Sequence, residues 1–147
     1  MAAGKKDFII KTYKDTKTGK EQNVLRRYKG HDSVVVIPDG VTKITDFVFA
    51  DDIDPNKSIE KIIIPDSVTE IYYRAFAFCK NLKEIQFPNG LKKFDIDFKY
   101  CPSIEEVTVP DSVTIIMIPS LPKDIKAMHV GSNIIGVEFT DNHGKKT

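Results

Sequence analysis

The sequence contains no tryptophan, two cysteines among 147 residues, and no apolar run that approaches the length of a membrane span. A transmembrane helix needs about 18 consecutive apolar residues or more, so membrane insertion is not expected. The opening stretch MAAGKKDFII holds too short an apolar run for a secretory signal peptide. Two cysteines are too few for a disulfide scaffold, and Cys79 and Cys101 stand too far apart for a CxxC motif.

An excess of either charge is also missing, since 22 Lys and Arg face 21 Asp and Glu for a net charge of +1. This balance excludes an acidic tail protein and a uniformly basic nucleic-acid binder. The charge is nevertheless unevenly distributed. Residues 1–30 hold nine basic and three acidic side chains, a net charge of +6, which leaves −5 for the remainder. We therefore predict a basic opening segment followed by an acidic main body.

A proline-centred motif recurs along the main body. Ile-Pro-Asp occurs at 37–39 and 64–66, Phe-Pro-Asn at 87–89 and Val-Pro-Asp at 109–111, so that the prolines are 27, 23 and 22 residues apart. A degenerate fifth copy has Gly131 in place of the proline. A period of 20 to 29 residues is typical of solenoids, so the sequence predicts stacked coils.

The residues before each proline follow the pattern LxxIxI, as in Ile59, Ile62 and Ile64. This alternation predicts a short parallel strand whose inward side chains stack on those of the next coil, and proline then ends the strand because it lacks an N–H donor. A second apolar pair, such as Val68 and Ile71, predicts another extended segment on the return side of the coil. The intervening turns contain Phe49, Phe76 and Phe98, which we expect to fill the core.

The unit IPDSVTEIYYRAFAFCKNLKEIQF at 64–87 resembles the BspA-like, or Treponema-type, leucine-rich repeat, whose coil reads approximately IPxSVTxIxxxAFxxCxxLxxI. The resemblance extends over about residues 34–139. It implies a β-rich, right-handed leucine-rich-repeat solenoid of four to five short coils of 21–27 residues, with a parallel sheet on the concave side. It also implies a binding module of the bacterial cell surface without catalytic machinery. Cys79 and Cys101 occupy the family's cysteine position, which points inward, and we expect both to be free, buried thiols.

Three regions are predicted. Residues 1–33 form a basic N-terminal β-hairpin cap, because the β-prone runs FIIKTY and NVLRRY flank a polar stretch that contains Gly19. Residues 34–139 form the solenoid, and 140–147 form a polar tail. The unit IPSLPKDIKAMHV has Leu121 in place of phenylalanine and extra prolines at 119 and 122, so it predicts a degenerate C-terminal cap.

The sequence predicts no catalytic residues, no cofactor and no metal. His31, His129 and His143 have no Cys, Ser or acidic partner at the spacing of a known nucleophile arrangement, and phosphate-binding loops and HExxH are absent. An inserted segment places Asp52, Asp54 and Asn56 in the alternation of a calcium loop. Lys57 and Ile63 then stand where that loop requires glycine and glutamate, so we interpret the segment as a solvated turn.

The predicted binding site consists of the outward positions of the concave strands: Val36, Lys61, Ile63, Glu84, Gln86, Glu106, Thr108 and His129. Apolar groups beside carboxylates favour a protein or peptide partner, because carboxylates repel polyanions. A secondary candidate surface on the return side contains Tyr72, Tyr73, Ile115 and Met117, with an inward-turned coil as the alternative. We accordingly predict a monomeric, non-enzymatic interaction module.

Two other functions stay open at this point. The solenoid could be a structural or adhesive spacer of a bacterial cell-surface protein. The basic opening segment could instead bind nucleic acid or another anionic surface, which a steep salt dependence of oligonucleotide binding would reveal. Nucleic acid is not expected, because charge on a protruding hairpin usually serves solvation. The resemblance favours a surface-exposed or secreted protein, whereas the missing signal peptide and the free thiols suit the cytoplasm equally well.

Overall fold

Short strands joined by turns make up almost all of the computed structural model, which describes residues 5–50, 58–98, 100–118 and 125–139. A single turn of 3-10 helix at Lys5–Asp7 precedes an antiparallel pair of strands, β1 (Phe8–Lys14) and β2 (Glu21–Tyr28). Five coils follow, each with one strand on either side. We call the first set the concave strands: β3 (Val34–Val36), β5 (Lys61–Ile63), β7 (Glu84–Gln86), β9 (Glu106–Thr108) and β11 (Ala127–His129).

The return strands lie on the other side of each coil: β4 (Lys43–Ile44), β6 (Glu70–Ile71), β8 (Lys93–Asp95), β10 (Ile115–Ile118) and β12 (Gly136–Phe139). Coil 1 therefore comprises β3 and β4, and coil 5 comprises β11 and β12. Strands pair in parallel with strands of neighbouring coils, and β2 joins β4 in parallel, so the hairpin extends the return side. The predicted leucine-rich-repeat solenoid is thus confirmed. The inserted segment at 51–57, residues 119–124 and the tail at 140–147 lie outside the described residues.

The core is a continuous column of apolar side chains inside the coils. In the concave strands the middle residue points inward, so Val35 lies beside Ile62, and both are fully buried. The three turn phenylalanines Phe49, Phe76 and Phe98 are buried as predicted, and the rings of Phe49 and Phe76 stack with centroids 5.7 Å apart. Since a buried phenylalanine contributes about 1.5–3 kcal/mol, this column holds the coils together.

Both cysteines are buried thiols outside any disulfide, as the sequence predicted. Each thiol donates a hydrogen bond to a backbone carbonyl of the preceding coil: Cys79 Sγ to Phe49 O at 3.4 Å, and Cys101 Sγ to Phe76 O at 3.0 Å. The repeated cysteine therefore links coil 2 to coil 1 and coil 3 to coil 2, and its small volume fits the core.

Tyr28 closes the end of the core below the hairpin. Its ring is fully buried and packs against Phe8 and Phe49, with centroids 5.1 and 6.1 Å away. Its hydroxyl donates to Asp32 Oδ2 at 2.9 Å and accepts from the Asp32 N–H at 3.1 Å. Burial, the largest cause, raises the pKa of Tyr28 to about 12.

This shift predicts a loss of stability at high pH. In the unfolded chain Tyr28 ionises near its ordinary pKa of about 10, whereas the folded protein keeps the proton up to about 12. The free energy of unfolding should therefore be unaffected by this group below about pH 10 and should fall between about pH 10 and 12. Tyrosinate absorbance, followed with circular dichroism to verify folding, should show a phenol that ionises near pH 12 and that Tyr28→Phe removes. Persistence of that component in Tyr28→Phe would contradict the assignment.

Candidate functional site: a cleft in the concave face

The structure places the predicted site residues on one face of the concave strands. Val34, Lys61 and Glu84 form one row, and Val36, Ile63 and Gln86 form the next. Farther along, Glu106 lies beside Ala127, and Thr108 lies beside His129. The eight side chains named from the sequence are all exposed or half-buried, so they are accessible to a partner.

The concave face is not one sheet, however. It consists of β3-β5-β7 and, separately, β9-β11. The ladder between β5 and β7 uses the backbone of alternate residues: Glu84 N–H donates to Glu60 O, and Gln86 O accepts from Ile64 N–H. The backbone groups of the residue between them, Ile85, therefore point away from β5 and toward β9.

The facing edge of β9 follows the same alternation. Glu105 O accepts from Ala127 N–H, and Val109 N–H donates to His129 O, so these groups point toward β11. The backbone groups of Glu106 and Thr108 consequently point toward β7. Among the residues of β7 and β9, all of which the structure describes, no ladder hydrogen bond joins the two strands. Two strand edges with unpaired backbone groups thus meet at this break.

Like charges meet at the break. Elsewhere on the face, opposite charges are neighbours: Lys61 Nζ lies 3.3 Å from Glu84 Oε1, and Lys126 Nζ lies 3.2 Å from Glu105 Oε1. A closed ladder between β7 and β9 would place Glu84 directly beside Glu106, and like charges in such positions destabilise a sheet.

The break opens a cleft of about 1020 Å³, which we call the concave cleft. Three carboxylates and one ammonium group line it, together with neutral polar side chains: Lys83, Glu84, Gln86, Asn89, Ser103, Glu105, Glu106 and Thr108. The ion pairs of these carboxylates with flanking cations are exposed to solvent, and such pairs typically contribute about 0–1 kcal/mol. A cationic ligand can therefore replace the existing partners at little cost.

A second break lies on the return side, one coil earlier, between β6 and β8. In coils 2 and 4 a serine hydroxyl donates a hydrogen bond to a backbone carbonyl of the preceding coil. Ser67 Oγ donates to Val41 O at 2.8 Å, and Ser112 Oγ donates to Leu91 O at 2.7 Å. Coil 3 has Gly90 at that position and so lacks the hydroxyl. Coil 3 is therefore paired with coil 2 through β5 and β7, and with coil 4 through β8 and β10.

The second break opens a smaller cleft of about 420 Å³ lined by Tyr72, Tyr73 and Asp95 among others. Tyr72 is 38% exposed, and burial, followed by the nearby charge of Asp97, raises the pKa of Tyr73. The other two residues of the predicted secondary surface, Ile115 and Met117, are half-buried in β10 and do not line this cleft. Of the four residues, Tyr72 and Tyr73 therefore share this cleft.

The basic hairpin lies apart from the concave cleft. In β2, Arg26 Nη1 donates to Tyr13 Oη at 3.3 Å, and Arg27 Nη1 donates to Phe47 O at 3.4 Å. Two of the basic side chains are therefore hydrogen-bonded within the protein, one to the hairpin itself and one to coil 1.

The profile of the BspA type leucine rich repeat region matches residues 31–119 in six copies. The chain belongs to this family. BspA-type repeats stack coils into an extended surface, an architecture typical of interaction or adhesion modules. No curated protein sequence matches the chain at a significant level.

Solved leucine-rich-repeat structures share the fold of this BspA-type chain. A T. pallidum leucine-rich-repeat protein is 22% identical with a TM-score of 0.64, over 93% of this chain and 71% of that chain. A leucine-rich-repeat protein from Bacteroides capillosus is 21% identical with a TM-score of 0.65, and the match covers 84% of this chain and 98% of that chain. A leucine-rich cell surface protein from Faecalibacterium prausnitzii is 19% identical with a TM-score of 0.63, and the match covers 84% of this chain and 39% of that chain. At these identities the likeness concerns the fold alone.

Two further observations concern other kinds of site in this BspA-type protein. The described part of the chain contains no group of three or more His, Cys, Asp or Glu side chains placed to hold a metal ion. Within the same residues, no helix is long and apolar enough to cross a membrane. The calcium-like triad Asp52, Asp54 and Asn56 lies outside the described residues.

Proposed function

We propose that this BspA-type protein is a non-enzymatic module that binds a protein or peptide through its concave face, with the concave cleft as the centre of the site. The observation that carries the proposal is the break between β7 and β9, which combines unpaired backbone with exposed carboxylates. Apolar Val36 and Ile63 lie on the same face and extend the surface beyond the cleft. This mixture suits a polypeptide better than a polyanion.

Modest affinity is expected for a single module. Stable protein interfaces bury about 1,200–2,000 Å² in total, whereas five strands of three residues each form a surface at the small end of that range. Tight attachment would then need several modules or several copies of the partner motif.

Charge reversal on the cleft tests the proposal. Wild-type protein and Glu84→Lys/Glu106→Lys are immobilised and exposed to extracts of the source cell, and retained proteins are quantified by mass spectrometry. We expect a protein that wild type retains to be reduced about tenfold or more by the double variant, equivalent to about 1.4 kcal/mol of lost binding energy or more.

The matched control carries the same charge change on the return side, Glu21→Lys/Glu70→Lys. Glu70 loses an ion pair with Lys43 at 3.0 Å, just as Glu84 loses one with Lys61, while the concave cleft is untouched. This control should retain the partner as wild type does. Equal retention by wild type and the cleft variant would place the interface elsewhere on the molecule.

A structural spacer is the second candidate function. It is favoured by the F. prausnitzii structure, which is described as a cell surface protein and is matched over 39% of its length. A chain that corresponds to part of such a protein can separate other segments without a specific partner of its own. In that case no protein would depend on Glu84 and Glu106 for retention.

A further inference from the structure

We infer that the partner enters the concave cleft as an extended peptide segment with alternating basic and apolar side chains, and that its backbone pairs with the edges of β7 and β9. The inference rests on the proposed function and adds the chemistry of the partner. Three features carry it: unpaired backbone groups, the charge of the lining, and the alternation of side chains across the strands.

The backbone edges provide the first step. Unpaired N–H and C=O groups at a strand edge are a template for another strand, and insertion of a strand into a parted sheet is an established recognition mode. Here Ile85 presents its groups from one edge, and Glu106 and Thr108 present theirs from the other. Since both edges run in parallel, a single inserted strand can pair with both.

The geometry of coil 3 permits the insertion. A strand between β7 and β9 needs about 4.8 Å on each side, so the two strands must move apart. No ladder bond between these described strands opposes that movement. On the return side, β8 and β10 keep coils 3 and 4 joined through the pairs Lys93 with Ile115 and Phe94 with Ile116. The cleft can therefore widen around an intact ladder, while apolar side chains of the inserted segment replace the core contact that parts between Ile85 and Val107.

The side chains of the inserted segment follow from the two faces of the strands. Outward positions meet Glu84 and Glu106, whose carboxylates favour lysine or arginine, whereas inward positions meet Ile85 and Val107 and favour apolar groups. The concave cleft, at about 1020 Å³, is at the upper end of the usual size of ligand sites, about 300–1,000 Å³. It is therefore large enough for a short peptide but not for a folded domain.

Hydrogen exchange on the full chain tests the inference, with a capped nine-residue peptide of alternating Lys and Val as the probe. In the free protein the amides of Ile85, Glu106 and Thr108 should exchange fast, because they have no ladder partner. Saturating peptide should slow their exchange at least tenfold. The same peptide with Glu in place of Lys should bind at least tenfold more weakly, and Glu84→Lys/Glu106→Lys should abolish binding of the basic peptide.

Backbone methylation of the probe separates strand pairing from simple charge attraction. A peptide with N-methyl groups at alternate residues keeps every positive charge but loses half of its amide donors, so it should bind at least tenfold more weakly than the parent. Equal binding of the methylated peptide would overturn the inference. So would amides at Ile85, Glu106 and Thr108 that are already protected in the free protein.

The two proposals fail in different ways. If the basic peptide does not bind while charge reversal still prevents retention of a natural partner, strand insertion is wrong and the concave face remains the interface. If charge reversal affects neither the peptide nor any retained protein, both the inference and the proposed function are wrong.

Discussion

Replacing Phe76 with alanine should lower the free energy of unfolding by about 3–5 kcal/mol, the usual range for a buried aromatic residue. The ring is fully buried and stacks on the ring of Phe49, with centroids 5.7 Å apart. It also packs edge-on against the ring of Phe87, with centroids 6.2 Å apart. Its removal leaves a cavity where three coils share one core, and the rigid turns around it limit collapse. Urea denaturation followed by circular dichroism measures the effect. Because small domains are stable by only about 5–15 kcal/mol, we expect the Phe76→Ala variant to unfold on mild heating.

An exposed aromatic residue is the control for this substitution. Tyr13 is 46% exposed in β1, so Tyr13→Ala should change the free energy of unfolding by no more than about 0.5 kcal/mol. Phe76→Leu keeps most of the apolar volume, so its loss in the free energy of unfolding should lie between those of Tyr13→Ala and Phe76→Ala. A loss below about 1 kcal/mol for Phe76→Ala would show that the column of rings does not hold the coils together.

Gly30→Ala should lower the free energy of unfolding by about 3 kcal/mol, nearly as much as Phe76→Ala. This is the upper end of the usual cost of overpacking. A Cβ atom at position 30 would collide with the hydroxyl oxygen of Tyr28 and would lie 2.6 Å from its Cζ. The ring cannot retreat, because it is fully buried and its hydroxyl is bonded to Asp32. Thermal and urea unfolding of the variant measure the loss.

Gly136→Ala is the matched glycine control, since nothing lies within 4 Å of the added Cβ, and it should be close to neutral. A double-mutant cycle assigns the cause. Tyr28→Leu/Gly30→Ala should cost at least about 1 kcal/mol less than the sum of the two single changes, because leucine removes the atoms that collide. Strict additivity would show that the effect of Gly30→Ala has another origin.

Much of this fold could be predicted from the sequence because each coil repeats one local pattern. Proline after an LxxIxI strand fixes where the strand ends, so Lys61, Ile63, Glu84 and Gln86 could be assigned to the outward face before the structure was known. Burial of Phe76 and Cys79 followed equally directly, since their positions recur in neighbouring units.

The two breaks in the sheets were not predicted, because they depend on differences between neighbouring coils. Their signals are present in the sequence: Gly90 replaces a bridging serine, and Glu84 and Glu106 occupy the same position in successive units. A single hydrogen bond contributes only about 0.5–1.5 kcal/mol, so neither change alone predicts an interrupted ladder.

The staggered breaks also affect how the solenoid would carry tension along its axis. Continuous ladders transmit force through backbone hydrogen bonds, but here each side of the stack is interrupted at a different coil. Tension applied to the two ends of the solenoid must therefore pass through coil 3, from its concave strand β7 to its return strand β8. Within coil 3 this path follows the covalent backbone from β7 to β8, beside the contact between the rings of Phe87 and Phe94, whose centroids are 4.9 Å apart. At each break the tension is then carried by the one ladder on the opposite side of the stack, β5 with β7 or β8 with β10.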